Sequence, residues 1–183
     1  MAIECLKGGE MYYNMQKFGC YPPEMSHYFF GQVASAIQHM HKHGFCHRDL
    51  KPWNIMLTDD LSAAKVIDFS YATPLGKDEF EHHIPVLKGF VPGTKYFMAP
   101  EQMNKGAYPL TDDFSKLDVW ALGVLLINML TLDFAFENPK EAGKEQHQAF
   151  VDDPTAFFKL HHVEFRSERE LTSLVDLLRG CLQ

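Results

Sequence analysis

His47-Arg48-Asp49-Leu50-Lys51-Pro52-Trp53-Asn54, with Asp68-Phe69 downstream, is the stretch on which the reading of this 183-residue chain turns. It supplies, in order, a carboxylate (Asp49), an ammonium (Lys51), a side-chain amide (Asn54) and a second carboxylate (Asp68). Moving a γ-phosphoryl group requires a carboxylate that orients and deprotonates a hydroxyl, a cation near the transferred charge, and oxygen ligands for magnesium. Each residue type is common alone, whereas the ordered set around Pro52 is not.

Upstream, Pro22-Pro23-Glu24 opens a helix in which Met25, Tyr28, Phe29, Val33, Ile37 and Met40 recur at helical spacing, and Gly44 is placed to end it. Downstream, the apolar runs Ile55-Met56-Leu57 and Lys65-Val66-Ile67 flank the turn-forming Asp59-Asp60. This pattern predicts a small hairpin with Asn54 at one end and Asp68 at the other, which brings these two oxygen-bearing side chains together. A second helix is expected from about Ser115 to Thr131, with Leu117, Trp120, Val124, Leu125 and Met129 distributed around it. A helix that is apolar on all sides belongs in the centre of a bundle. The polar segment from Glu137 to Asp153, with Pro139 and Gly143, reads as a loop with one short helix.

Composition agrees with one globular domain: 46% hydrophobic and 22% charged residues provide for a sizeable core. The net charge of −7 argues against general nucleic-acid or membrane-surface binding, since both favour basic patches. The longest apolar stretch, Val119 to Leu132, contains Asn128 and falls short of the ~20 residues of a membrane span. Cys5, Cys20, Cys46 and Cys181 form no Cys-x-x-Cys pair, and no signal segment opens the chain, so reduced thiols in cytosol or nucleus are expected.

The motif around Asp49 resembles the catalytic loop of eukaryotic-type serine/threonine protein kinases. Gly93-Thr94-Lys95-Tyr96-Phe97-Met98-Ala99-Pro100-Glu101 is similar to the family's substrate-docking segment, and Asp118-Val119-Trp120-Ala121-Leu122-Gly123 to the start of its long central helix. Ile3-Glu4-Cys5-Leu6-Lys7-Gly8-Gly9-Glu10 looks like the hinge that holds adenine. The implied fold is mainly α: a large-lobe helical bundle with a small hairpin carrying the catalytic and metal-binding loops. The resemblance implies ATP and Mg2+ as cofactors and a protein bearing serine or threonine as substrate, with Lys51 and Thr94 favouring those hydroxyls over tyrosine. It makes Asp49 the base, Lys51 the γ-phosphate cation, and Asn54 and Asp68 the magnesium ligands. Ile3 becomes the gatekeeper, the backbone of Glu4 and Leu6 faces adenine, Met56 lies beneath it, and Glu10 joins the nucleotide-binding set. His47 takes a structural role, and Asp118 accepts hydrogen bonds from the catalytic-loop backbone.

Ser70 departs from the family, which usually has glycine after Asp-Phe. Serine in the left-handed region costs roughly 1–2 kcal/mol, so a restricted in/out flip of Phe69 is expected. Between Pro74 and Gly93 there is no serine, threonine or tyrosine, so a phosphate that would pair with Arg48 has no acceptor there. Asp78, Glu79 and Glu81 are available to supply a weaker negative charge, against a plainer role as solvated loop carboxylates. His39, His41, His43 and His47 invite a zinc reading, but nothing near them completes a four-ligand site, and imidazoles are favoured in a helix's last turn.

The resemblance also implies that residues 1–183 form one partial domain, running from the hinge to about the penultimate helices, with the small lobe before Met1. A displaced glycine-rich loop is not found elsewhere in the sequence. The distal arginine that pairs with Glu101 in the family would lie past Gln183, and losing one partner of such a pair costs about 3–5 kcal/mol. Two functions are therefore weighed: an ATP-dependent kinase, weakly active as this chain alone, and a kinase-derived binding module that docks partners through the substrate groove. Either predicts an apolar hinge side near Ile3, Leu6 and Met56 that calls for a covering partner.

Overall fold

The computed structural model describes residues 4–75, 93–103, 114–136 and 142–182. In chain order its helices are α1 (Met11–Phe18), α2 (Pro23–Lys42), α3 (Pro100–Met103), α4 (Ser115–Thr131), α5 (Ala142–Asp152), α6 (Pro154–Leu160) and α7 (Glu168–Cys181). Four short strands lie between α2 and α3: β1 (Phe45–Cys46), β2 (Ile55–Leu57), β3 (Ala64–Val66) and β4 (Thr73–Pro74). Single 3-10 turns cover Pro52–Asn54 and Lys95–Phe97. The architecture is mainly α, with two small two-stranded sheets.

The all-round apolar character of α4 has the expected outcome, since every residue from Trp120 to Leu130 is buried. Helix α2 lays Phe29, Phe30, Val33 and Ile37 against it, and α7 approaches from another side. That second approach depends on Gly123: a Cβ there would meet Cys181 Cβ at 2.8 Å. Helix α2 is preceded by Pro22 and begins at Pro23, a position that suits proline's fixed φ. It ends at His43, and Gly44 follows with φ 80°.

The hairpin pairs Ile55 with Val66, Met56 with Lys65 and Leu57 with Ala64. Its second strand begins one residue earlier than the apolar run suggests, but the Ile67 amide still donates to the Asn54 carbonyl at 2.9 Å. Asn54 and Asp68 thus come to the same end of the hairpin. The second sheet, Cys46 with Thr73 and Phe45 with Pro74, has strands too short to leave a periodic trace in sequence.

In the polar segment expected to be a loop with one short helix, Ala142–Asp152 is an 11-residue helix, and residues 137–141 lie outside the described residues. Gly143 lies in its first turn, Pro139 falls outside the described residues, and the run of Glu, Gln and Ala favours helix. Phe150 is buried and meets Phe157 edge-on at 5.3 Å, which fixes α5 on α6. Among the described residues no helix is long and apolar enough to cross a membrane.

Candidate active site

The loop after β1 is held from within by one carboxylate. Asp118, in the first turn of α4, is fully buried. Its Oδ2 accepts the His47 amide at 2.8 Å and its Oδ1 accepts the Arg48 amide at 2.8 Å. His41 Nε2, from the last turn of α2, also lies 2.8 Å from Oδ2. Arg48 has φ 66°, a left-handed backbone that a non-glycine residue keeps only when its surroundings hold it. Two charge-assisted hydrogen bonds on successive amides meet that requirement.

His47 is fully buried and joins the loop to the hairpin. Its Nε2 lies 3.1 Å from the Ile67 carbonyl, and its Nδ1 accepts the Asp49 amide at 3.3 Å. A neutral imidazole with the proton on Nε2 satisfies both contacts. The Arg48 side chain donates from Nε to the Tyr71 carbonyl at 2.8 Å, and its guanidinium lies 5.8 Å from the centroid of the Phe114 ring.

Asp49, only 4% exposed, has both carboxylate oxygens engaged. Lys51 Nζ donates to Oδ2 at 2.7 Å and to Thr94 Oγ1 at 2.7 Å. Thr94 Oγ1 in turn donates to Asp49 Oδ1 at 2.8 Å, which closes a ring of three residues. Asn54 Nδ2 donates to the Asp49 carbonyl at 2.9 Å and to Oδ2 at 3.2 Å. With its amide nitrogen so used, the Asn54 oxygen is the atom left to face a cation.

Asp68 is exposed, with φ 61°. The Ser70 hydroxyl and amide both donate to its Oδ1. The Ser70 side chain first, and then its backbone amide, hold the Asp68 carboxyl below its ordinary range. Ser70 itself is not among the residues with positive φ, so the backbone cost expected of serine there does not arise; the left-handed residue is Asp68. Phe69 is 54% exposed, its ring 5.5 Å from that of His47.

Around residues 8–10, expected to flank the nucleotide, the Leu57 amide donates to the Gly9 carbonyl at 2.8 Å, and Glu10 forms a backbone bridge to Met56. Gly8 is required at this crossing, because a Cβ would stand 2.2 Å from the Thr58 carbonyl oxygen. Leu6 and Met56 are half-buried, while Glu4 is exposed and its carboxylate pairs with Lys65. Ile3, Asp78, Glu79 and Glu81 lie outside the described residues. Glu101 is half-buried in α3, and among the described residues none pairs with it. Of the clustered histidines, His43 Nδ1 lies 2.8 Å from the His39 carbonyl, and His41 and His47 have the partners given above.

Sequence reasoning missed the pairing of His41 with Asp118 and the Tyr71 carbonyl that receives Arg48. The first joins residues 77 apart and the second is a backbone group, so neither leaves a local signal.

A family model described as "Protein kinase domain" matches residues 1–183. Serine/threonine-protein kinase SRK2B of Arabidopsis thaliana is 33% identical over 142 residues, 77% of this chain and 36% of its own length. A probable cAMP-dependent protein kinase catalytic subunit of Encephalitozoon cuniculi is 29% identical over 136 residues, 74% of this chain and 38% of its own. CBL-interacting serine/threonine-protein kinase 7 of Arabidopsis thaliana is 33% identical over 139 residues, 75% of this chain and 30% of its own. The chain belongs to the protein kinase family. It spans less than two fifths of the length of each of these relatives.

Proposed function

We propose that this chain serves transfer of the γ-phosphoryl group of ATP to serine or threonine hydroxyls of proteins. The observation that carries the reading is the buried Asp49 carboxylate, held on both oxygens by Lys51, Thr94 and Asn54. Asp49 orients the incoming hydroxyl and takes its proton, while Lys51 offsets the negative charge that moves with the phosphoryl group. Thr94 touches both of them and so shapes the place where a small aliphatic hydroxyl enters.

The donor set fits magnesium, because the Asn54 oxygen and the ionised Asp68 carboxylate are hard oxygen ligands on one end of the hairpin. Bound magnesium–ATP supplies the phosphoryl group and neutralises its oxygens. Met56, Glu10 and the backbone of Glu4 and Leu6 make up the nucleotide side in this reading.

Transfer from labelled ATP to a protein substrate tests it. Asp49→Asn should lower the rate by roughly 10²–10⁴ while nucleotide binding persists. An undiminished rate would remove Asp49 from its role.

A second reading, a binding module that docks partners without transfer, is favoured by Ser70, whose hydroxyl and amide both occupy one oxygen of the Asp68 carboxylate. Under that reading, calorimetry detects magnesium–nucleotide binding only after Ser70→Gly.

A further inference from the structure

Asn54 and Asp68 share one end of the hairpin, and the hydrogen bonds each already makes decide how many oxygens it has for a cation. Asn54 directs its amide hydrogens to the Asp49 carbonyl at 2.9 Å and to Asp49 Oδ2 at 3.2 Å, so its one side-chain oxygen remains. Asp68 starts with two oxygens, and each has two lone-pair positions. Its Oδ1 accepts both the Ser70 amide, at 3.2 Å, and the Ser70 hydroxyl, which fills both positions. Its Oδ2 has no hydrogen-bond partner among the described residues.

The hydroxyl is the part particular to this chain. Glycine, usual at this position in the family, supplies an amide and nothing more. Ser70 reaches back across Phe69 with no positive φ of its own, while Asp68 takes the left-handed turn at φ 61°. On the other side of Asp68, the Ile67 amide donates to the Asn54 carbonyl at 2.9 Å, and the Ile67 carbonyl lies 3.1 Å from His47 Nε2. The carboxylate is thus fixed through the backbone before it and the side chain after it.

Cations differ in what they ask of a carboxylate. Magnesium needs a small, near-octahedral shell and takes single oxygens from carboxylates, with water and phosphate oxygens completing it. Calcium takes a larger, looser shell and readily uses both oxygens of one carboxylate. One oxygen from Asn54 and one from Asp68 satisfy the first and deny the second.

We infer that Ser70 is a positioning residue that restricts Asp68 to one-oxygen coordination and so sets the preference of this site for a small octahedral cation over calcium. The inference rests on the phosphoryl-transfer reading for the place of the cation, but the preference is measurable without nucleotide or transfer.

Manganese(II) is the probe, since electron paramagnetic resonance reports the free ion directly, and magnesium and calcium are titrated as competitors against the full chain. Ser70→Ala and Ser70→Gly, checked for folding by circular dichroism, keep the amide and lose the hydroxyl. Each should shift the magnesium-to-calcium affinity ratio toward calcium by about tenfold, the scale on which hydrogen-bonding partners of metal ligands act. Ser70→Thr keeps the hydroxyl and should keep the native ratio, and Asp68→Asn should abolish manganese binding. A ratio unmoved in Ser70→Ala and Ser70→Gly, one moved as far by Ser70→Thr, or manganese that survives Asp68→Asn overturns the role of Ser70. Manganese bound by Ser70→Gly and not by the native chain, or bound by neither, overturns it too. Transfer from labelled ATP with an unmoved ratio removes this role and leaves the proposed activity standing. A moved ratio without transfer supports the role and removes that activity.

Discussion

Asp118 shows how much one carboxylate can hold. It has three donors, two of them successive backbone amides in a strained loop, and it is out of reach of water. Asp118→Ala leaves those donors unpaired in the interior, with an expected loss of about 3–5 kcal/mol in a denaturant titration. His41→Ala, which removes a half-buried partner and no backbone bond, should cost about 1 kcal/mol. The Ser70 hydroxyl bears on Asp68 in a way that NMR can follow. Ser70→Ala should raise the Asp68 carboxyl toward its ordinary range, whereas an unmoved titration would show that the backbone amide alone suffices. Burial pushes the Cys46 thiol up to about 12, so at pH 8 native protein should lose Cys5 and Cys20 to maleimide and keep Cys46 until it unfolds.

At the scale of elements, what the sequence disclosed depended on the length of the signal. Helices α2 and α4 were legible because twenty and seventeen residues carry an unbroken pattern, amphipathic in one and apolar throughout in the other. The β2–β3 hairpin was legible from its turn. The pairing of β1 with β4 was not, since two-residue strands have no period. The candidate set Asp49, Lys51 and Asn54 was legible because its members are close in sequence. Of its supports, Asp118 of α4 was expected from the resemblance, while His41 of α2 and the Tyr71 carbonyl after β3 were not, since neither leaves a local signal.

Two predictions belong to elements. Gly123→Ala pushes a methyl group into Cys181 and Leu182, and should destabilise the α4–α7 contact by about 1–3 kcal/mol in thermal melts. The turn between β2 and β3 is held by Asp60, which accepts from the hydroxyls of Thr58 and Ser62 and from the Ser62 amide and titrates near about 2 rather than 3.8. Its folded value is lowered, so its contribution is present above pH 3.8 and lost as pH falls toward 2. Chemical shifts of the turn should move in that window and not above it.

For the whole molecule, the carboxylate that holds the His47–Arg48 loop and the residues that build the core share α4. The same helix that buries eleven consecutive residues also carries Asp118 at its start and leads into Phe134 past its end. The loop that carries Asp49 and the turn that carries Phe134 are thus both tied to one rigid helix. A cavity near the middle, such as Leu125→Ala, should lower stability by about 2–5 kcal/mol and loosen both ends together, seen as parallel loss of Lys51 and Phe134 NMR dispersion.

The two backbone hydrogens that end on Asp118 come from residues 71 and 70 positions earlier in the chain. Deuterium reaches them only when the loop parts from α4, and α4 is enclosed by helices from both halves of the sequence. Slow isotope uptake at His47 and Arg48, matched to that of the deepest α4 amides, would make two loop hydrogens into gauges of global opening.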